Sequence, residues 1–151
     1  MASPKTLYEI IDEIYVAGEL QEFRQAFEAG ADPNTLGPNG GTCLMIALLR
    51  NHTEVVSLLL SHPEIKINAK NRSGYTALHF ACCWGSPECV KLLLAVPGLE
   101  LNERNILGAT PVMEAIIHRN TEAVRALTQM PGVDLDLKNA VGETLEELAE
   151  R

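Results

Sequence analysis

The sequence predicts an all-α solenoid of helix–turn–helix units joined by short hairpin loops. Three observations predict it. The chain aligns with itself at an offset of thirty-four residues: Gly40, Gly74, Gly108 and Gly142 share one register, and Thr42, Thr76, Thr110 and Thr144 follow two residues later. Ala47, Ala81, Ala115 and Ala149 continue the pattern, as do Asn34, Asn68, Asn102 and Asp136. Self-similarity at a fixed period marks an array of small units and not a single globule. Within one unit, apolar residues recur at helical spacing, and glycine and proline stand at the joints. A single unit of this kind cannot bury its apolar face alone, whereas stacked units can.

Residues 71–104 show the unit at its clearest. Gly74 takes φ > 0 easily and suits the turn of a small hairpin. Thr76 is placed to cap the following helix by accepting from a free backbone N–H. Leu78, Ala81 and Cys82 form its buried stripe, and Gly85 stops it. Ser86-Pro87 starts a second helix, with Ser as N-cap and Pro at the first helical position. Val90, Leu93 and Leu94 are its buried stripe, and Pro97 ends it. Leu99 to Asn102 then runs extended into the next turn.

The other units follow in order. Residues 1–36 form an N-terminal cap, with a helix starting at Ser3-Pro4. Its apolar stripe is Leu7, Ile10, Ile11, Ile14 and Tyr15, and Asp12, Glu13, Glu19 and Glu22 make that end acidic, as a solvated face requires. Residues 37–70 carry TCLMIALLRN and TEVVSLLLSH as their two helices, and residues 105–138 carry TPVMEAIIHRN and TEAVRALTQM. Pro63, Pro97 and Pro131 are insertions after the second helix. Residues 139–151 open a fifth unit, where Thr144 and Glu147 fit a capping box. Glu146 stands where the other units place an apolar residue, so this last helix is expected to pack loosely. The missing second helix reads as a piece of a longer array. The whole is one elongated domain.

Thr76-Ala77-Leu78-His79-Phe80-Ala81 resembles the Thr-Pro-Leu-His-x-Ala signature of the ankyrin repeat family. Gly18 to Asn34, ending Gly-Ala-Asp-Pro-Asn, resembles the second helix and terminal loop of the same repeat. The resemblance covers four repeats and part of a fifth. It implies a scaffold or adaptor that binds a protein or peptide on a concave face of hairpin tips and first helices. On this chain those positions match Pro38, Asn39, Gly41, Leu49 and Arg50 in the second unit. They match Arg72, Ser73, Tyr75, Cys83 and Trp84 in the third, and Ile106, Leu107, Ala109, Ile117 and His118 in the fourth. Hairpin tips normally carry polar residues, so Ile106-Leu107 is unusual. The expected site is an apolar stripe of Leu49, Tyr75, Trp84, Ile106, Leu107 and Ile117 with Arg50, Arg72 and His118 as its polar rim, since exposed apolar patches and Trp or Tyr anchors mark interfaces. For Leu49 and Ile117, packing against neighbouring helices is an equal alternative.

The family resemblance implies two further readings. Leu94, Glu100, Leu101 and Asn102 are similar to the pattern favoured by an asparaginyl hydroxylase that modifies ankyrin proteins, which makes Asn102 a candidate modification site. Kinase-inhibitory ankyrin proteins have a similar length, but their second repeat has a shortened first helix, and TCLMIALLRN reads as full length.

Little else points to chemistry. The net charge of −8 argues against nucleic-acid or anionic-membrane partners. No secretory leader is expected, since Lys5 is followed at once by Glu9, Asp12 and Glu13, and no segment is apolar for the ~20 residues of a membrane span. Cys43, Cys82, Cys83 and Cys89 form no Cys-x-x-Cys pair and read as reduced, core-filling thiols of a cytoplasmic or nuclear protein. His79 and Cys83, four apart on one helix, are conceivable metal ligands. No second pair accompanies them, and the family's His at this position usually holds the adjacent hairpin, so the packing role is preferred. No phosphate loop or nucleophile–base set is present. The expectation is a non-enzymatic monomer with no cofactor and no metal.

Overall fold

The computed structural model describes residues 3–14 and 20–151. Tyr15, Gly18 and Glu19, which the sequence reading drew into the N-terminal unit, lie outside the described residues. Among the described residues the helices come in successive pairs: α1 (Leu7–Glu13) with α2 (Leu20–Glu28), α3 (Cys43–Leu49) with α4 (Thr53–Ser61), α5 (Ala77–Trp84) with α6 (Pro87–Leu94), and α7 (Pro111–Ile117) with α8 (Thr121–Thr128). A single helix, α9 (Leu145–Ala149), follows. The only β-pairing among the described residues is an isolated bridge between Leu36 and Thr42.

The first helices pack in sequence, α1 on α3, α3 on α5, α5 on α7 and α7 on α9, and form one layer. The second helices form the other, α4 on α6 and α6 on α8. The core lies between the layers. Leu44, Leu48, Val55, Leu59, Leu78, Cys82, Val90, Leu93, Ala115 and Leu127 belong to one continuous buried cluster. The expected stripes are the ones buried, apart from Leu94, which is only partly covered. All four cysteines are free and buried on helices α3, α5 and α6, and Cys43, Cys82 and Cys89 belong to the core cluster as small apolar residues.

Caps define the helix starts. Thr42, Thr76 and Thr144 each accept from the backbone N–H three residues on. Ser86 does the same for Cys89, with Pro87 at the first helical position. The first helix is a correction. It begins at Leu7 and not at Ser3-Pro4, because Thr6 and Glu9 close a reciprocal capping box: Glu9 N donates to Thr6 Oγ1 at 3.2 Å, and Thr6 N to Glu9 Oε2 at 2.7 Å. α3 spans 7 residues, as α7 does, so the second unit has no shortened first helix.

The turn between paired helices differs among units. Asn51 and Arg119 take the left-handed conformation, at φ 54° and 56°. Gly85, in the same register, is extended at φ −68°, and α5 runs one residue further than α3 and α7. Glycine is needed here for space: a Cβ would sit 2.4 Å from the Ala81 carbonyl oxygen. Side chains from both neighbours hold this turn. Asn51 donates to Trp84 O at 3.0 Å and accepts from Ser86 N at 2.6 Å, and Asn120 donates to Gly85 O at 3.1 Å.

Leu93 is fully buried between the layers at the middle of the array. Leu93→Ala is expected to destabilise the protein by ~2–5 kcal/mol through lost contacts and a residual cavity. Chemical denaturation followed by the single Trp84 checks this, and an unchanged midpoint would contradict it.

Candidate protein-interaction face

The hairpin tips are built by three asparagines in one register. Asn71 Oδ1 accepts from Ser73 N and Tyr75 N, both at 3.0 Å, and Asn105 and Asn139 repeat the pair of bonds one and two units on. Gly74, Gly108 and Gly142 close the turns at positive φ. Successive tips are joined by backbone hydrogen bonds: Arg72 N to Asn39 O at 2.9 Å, Ile106 N to Ser73 O at 3.0 Å, and Ala140 N to Leu107 O at 3.1 Å. The tips therefore form one continuous ridge.

That ridge becomes apolar toward its C-terminal end. Ile106 is 69% exposed and Leu107 62%, so neither is used by the fold. Val141, 78% exposed, stands in the register of Leu107 one unit later. The sequence reading missed Val141 because it treated the fifth unit as a remnant. The thirty-four-residue offset applied to Leu107 finds it.

The first-helix face adds Leu49, Trp84 and Ile117, all exposed. Trp84 touches rings of its own helix and of the next unit. Its ring lies 5.3 Å from Phe80 and meets His118 edge-on at 5.4 Å, centroid to centroid. Phe80 in turn meets Tyr75 at 6.0 Å, so an aromatic strip runs from Tyr75 to His118 across two units. Beside it, Tyr8, Pro38, Leu49, Asn71 and Phe80 line a cavity of about 130 Å³.

Other candidate residues are placed differently. Arg72 is exposed on the ridge. Arg50 is occupied by the fold: its guanidinium donates to the carbonyls of Asp12 at 2.6 Å and Ile11 at 3.2 Å and pairs with the Asp12 carboxylate at 3.0 Å, holding α1 against α3. Cys83 and Ala109, which the register puts on the same face, are buried. Tyr75 is half-buried, and its hydroxyl donates to Glu114 Oε1 at 3.1 Å.

His79 and Cys83 do not converge. His79 is fully buried; Thr76 N donates to its Nδ1 at 3.1 Å, so the ring proton sits on Nε2, which donates to Ala109 O at 3.0 Å. Burial lowers its pKa and keeps the ring neutral. It ties the third unit to the hairpin of the fourth. Cys83 instead turns to Glu114, donating to Oε2 at 3.6 Å. Glu114 is 3% exposed, and sequence reasoning missed it. The signal was available, since the other units place Ile46, Phe80 and Leu148 in its register. A carboxylate where the repeat wants a hydrocarbon needs partners. Asn105 Nδ2 supplies one at 2.7 Å to Oε1, and His118 Nε2 lies 3.4 Å from Oε2.

A family model of ankyrin repeats, in three copies, matches residues 14–105. The chain is an ankyrin-repeat protein. The same helix pair continues past the match as α7 and α8, with a hairpin and α9 beyond. Ankyrin repeats are generally protein–protein interaction modules and typically non-enzymatic. No curated protein matches this chain. Among the described residues no helix is long and apolar enough to cross a membrane. In this ankyrin array Asn102 is part of the stacking. It donates to Gly132 O and accepts from Asp134 N, both at 2.8 Å, as Asn34 and Asn68 do to their own next units.

Tyr75 reports on this arrangement. Burial first, then the Glu114 charge and the hydrogen bond to it, push its phenol from 10.0 up to about 12. The neutral phenol is the form the fold favours. Its contribution to stability is complete below pH 10 and is lost as pH rises through about 12. Phenolate absorbance of the wild type minus that of Tyr75→Phe should therefore show a step at about 12. A difference step at the ordinary tyrosine value of 10.0 would contradict the Glu114 contact.

Proposed function

We propose that this protein is a scaffold or adaptor module that binds a protein or peptide partner on the face made by the hairpin ridge and the first helices. The carrying observation is the run of solvent-facing apolar groups from Leu49 and Trp84 to Ile106, Leu107, Ile117 and Val141. None of these is claimed by the core, and exposed apolar groups with a Trp among them are what interface anchors require. Arg72 and His118 are the polar rim, and Arg50 belongs to the scaffold. Tyr75 is linked to Trp84 through the ring of Phe80.

The mechanism is recognition by a preformed surface. The tips are chained by backbone bonds and the helices are held by a continuous core, so little conformational freedom is lost on binding. The acidic balance of −8 favours a partner that is neutral or basic around an apolar anchor.

Affinity capture with the wild type beside Trp84→Ala and Leu107→Asp, each folded by circular dichroism, tests the reading. Partners retained by the wild type should be lost from both variants. With an isolated partner, Trp84→Ala should weaken binding by about 2 kcal/mol or more. Equal affinity for wild type and both variants would place the site elsewhere.

A further inference from the structure

Glu114 presents a problem that the interaction face does not solve. Its carboxylate is buried in a register that elsewhere holds Ile46, Phe80 and Leu148. A buried charge is costly unless an opposite charge and further hydrogen bonds accompany it. The two carboxylate oxygens are used differently. Oε1 takes the Tyr75 hydroxyl at 3.1 Å and the Asn105 amide at 2.7 Å. Oε2 faces Cys83 Sγ at 3.6 Å and His118 Nε2 at 3.4 Å. The sulfur, the oxygen and the nitrogen all lie within 4.8 Å of one another.

The two shorter spacings match edges of a coordination tetrahedron. With ordinary zinc bonds of ~2.3 Å to sulfur, ~2.1 Å to oxygen and ~2.05 Å to nitrogen, a tetrahedral centre separates S from O by ~3.6 Å and O from N by ~3.4 Å. Two of the three edges are thus already at coordination distance, and the third, sulfur to nitrogen, lies within 4.8 Å. Oε1, held by Tyr75 and Asn105, supplies the outer-shell anchoring that orients a carboxylate ligand. His118 keeps a third of its side chain exposed, which leaves an entry path and a fourth position for water. The Cys83 thiol and the His118 ring thus meet on the same carboxylate oxygen, and all three donors point into one space.

We propose that Cys83, Glu114 and His118 form a Zn²⁺-binding site between α5 and α7. Mixed S, O and N donors in a tetrahedral arrangement select zinc over the hard cations. On binding, Cys83 releases its proton to solvent and ligates as thiolate, and His118 ligates as neutral imidazole. The ion supplies a fixed positive charge to Glu114 and cross-links the third unit to the fourth. The site goes beyond partner binding and stands without it.

Cobalt(II) is the probe. Chelator-stripped protein, kept reduced with a non-coordinating phosphine, is titrated with Co²⁺ while absorbance and fluorescence are recorded. The expected result is a thiolate-to-cobalt charge-transfer band with intense tetrahedral visible bands, saturating at one ion per chain and displaced by equimolar Zn²⁺. The fluorescence of Trp84, 5.4 Å from His118, should be quenched in parallel. Cys83→Ser, nearly isosteric, should abolish the charge-transfer band, and His118→Gln should weaken affinity at least about tenfold. Circular dichroism confirms that both variants are folded. No charge-transfer band in the wild type, or a band unchanged in Cys83→Ser, would overturn the proposal.

Discussion

Successive units are clasped by an asparagine that bonds the loop of the next unit through both ends of its amide. Asn34 holds Glu64 O and Lys66 N, Asn68 holds Gly98 O and Glu100 N, and Asn102 holds Gly132 O and Asp134 N, all at 2.8–2.9 Å. Only a side chain with a donor and an acceptor on one carbon satisfies both groups. The clasp sets the spacing between units, and the spacing decides what the other contacts can reach. His79 Nε2 meets Ala109 O, and the hairpin tips meet one another, because this distance repeats. The apolar stripes of the four helix pairs then meet in one buried cluster.

The fold was legible because each device is local and recurs. Thr76 as cap, Ser86-Pro87 as helix start and the Leu78–Ala81–Cys82 stripe each follow from short-range chemistry, and the thirty-four-residue offset carries the reading to the other units. The N-terminal start was misplaced for an instructive reason. Ser3-Pro4 and Thr6–Glu9 are both acceptable starts, and the reciprocal pair of bonds at Thr6 wins over a single cap. Gly85 was recognised as a stop, but not as a residue required by the closeness of Ala81 O.

The face was legible in part. Ile106, Leu107 and Trp84 stood out because apolar groups at tip and first-helix positions break the local rule, and they are exposed. Arg50 did not betray its role. A basic residue at the end of a helix looks the same in sequence whether it faces a partner or the carbonyls of Ile11 and Asp12, since those lie almost forty residues earlier. Glu114 was hidden by its helix, where a glutamate is ordinary. Its burial follows from the neighbours on either side, Tyr75, Cys83 and Asn105, and only their meeting makes it unusual.

The last helix rests on ground of its own. α9 has 5 residues, far too few to hold a helical turn by backbone bonding alone. Its one buried side chain, Leu148, sits with Ala109 and Met113 in a small cluster apart from the main core. That pad divides α9 sharply: Leu148 covers Met113 and Ala109, while Glu146, Glu147 and Ala149 all face solvent. The array therefore ends in an acidic surface rather than an apolar one, the same balance that Asp12 and Glu13 give its first helix.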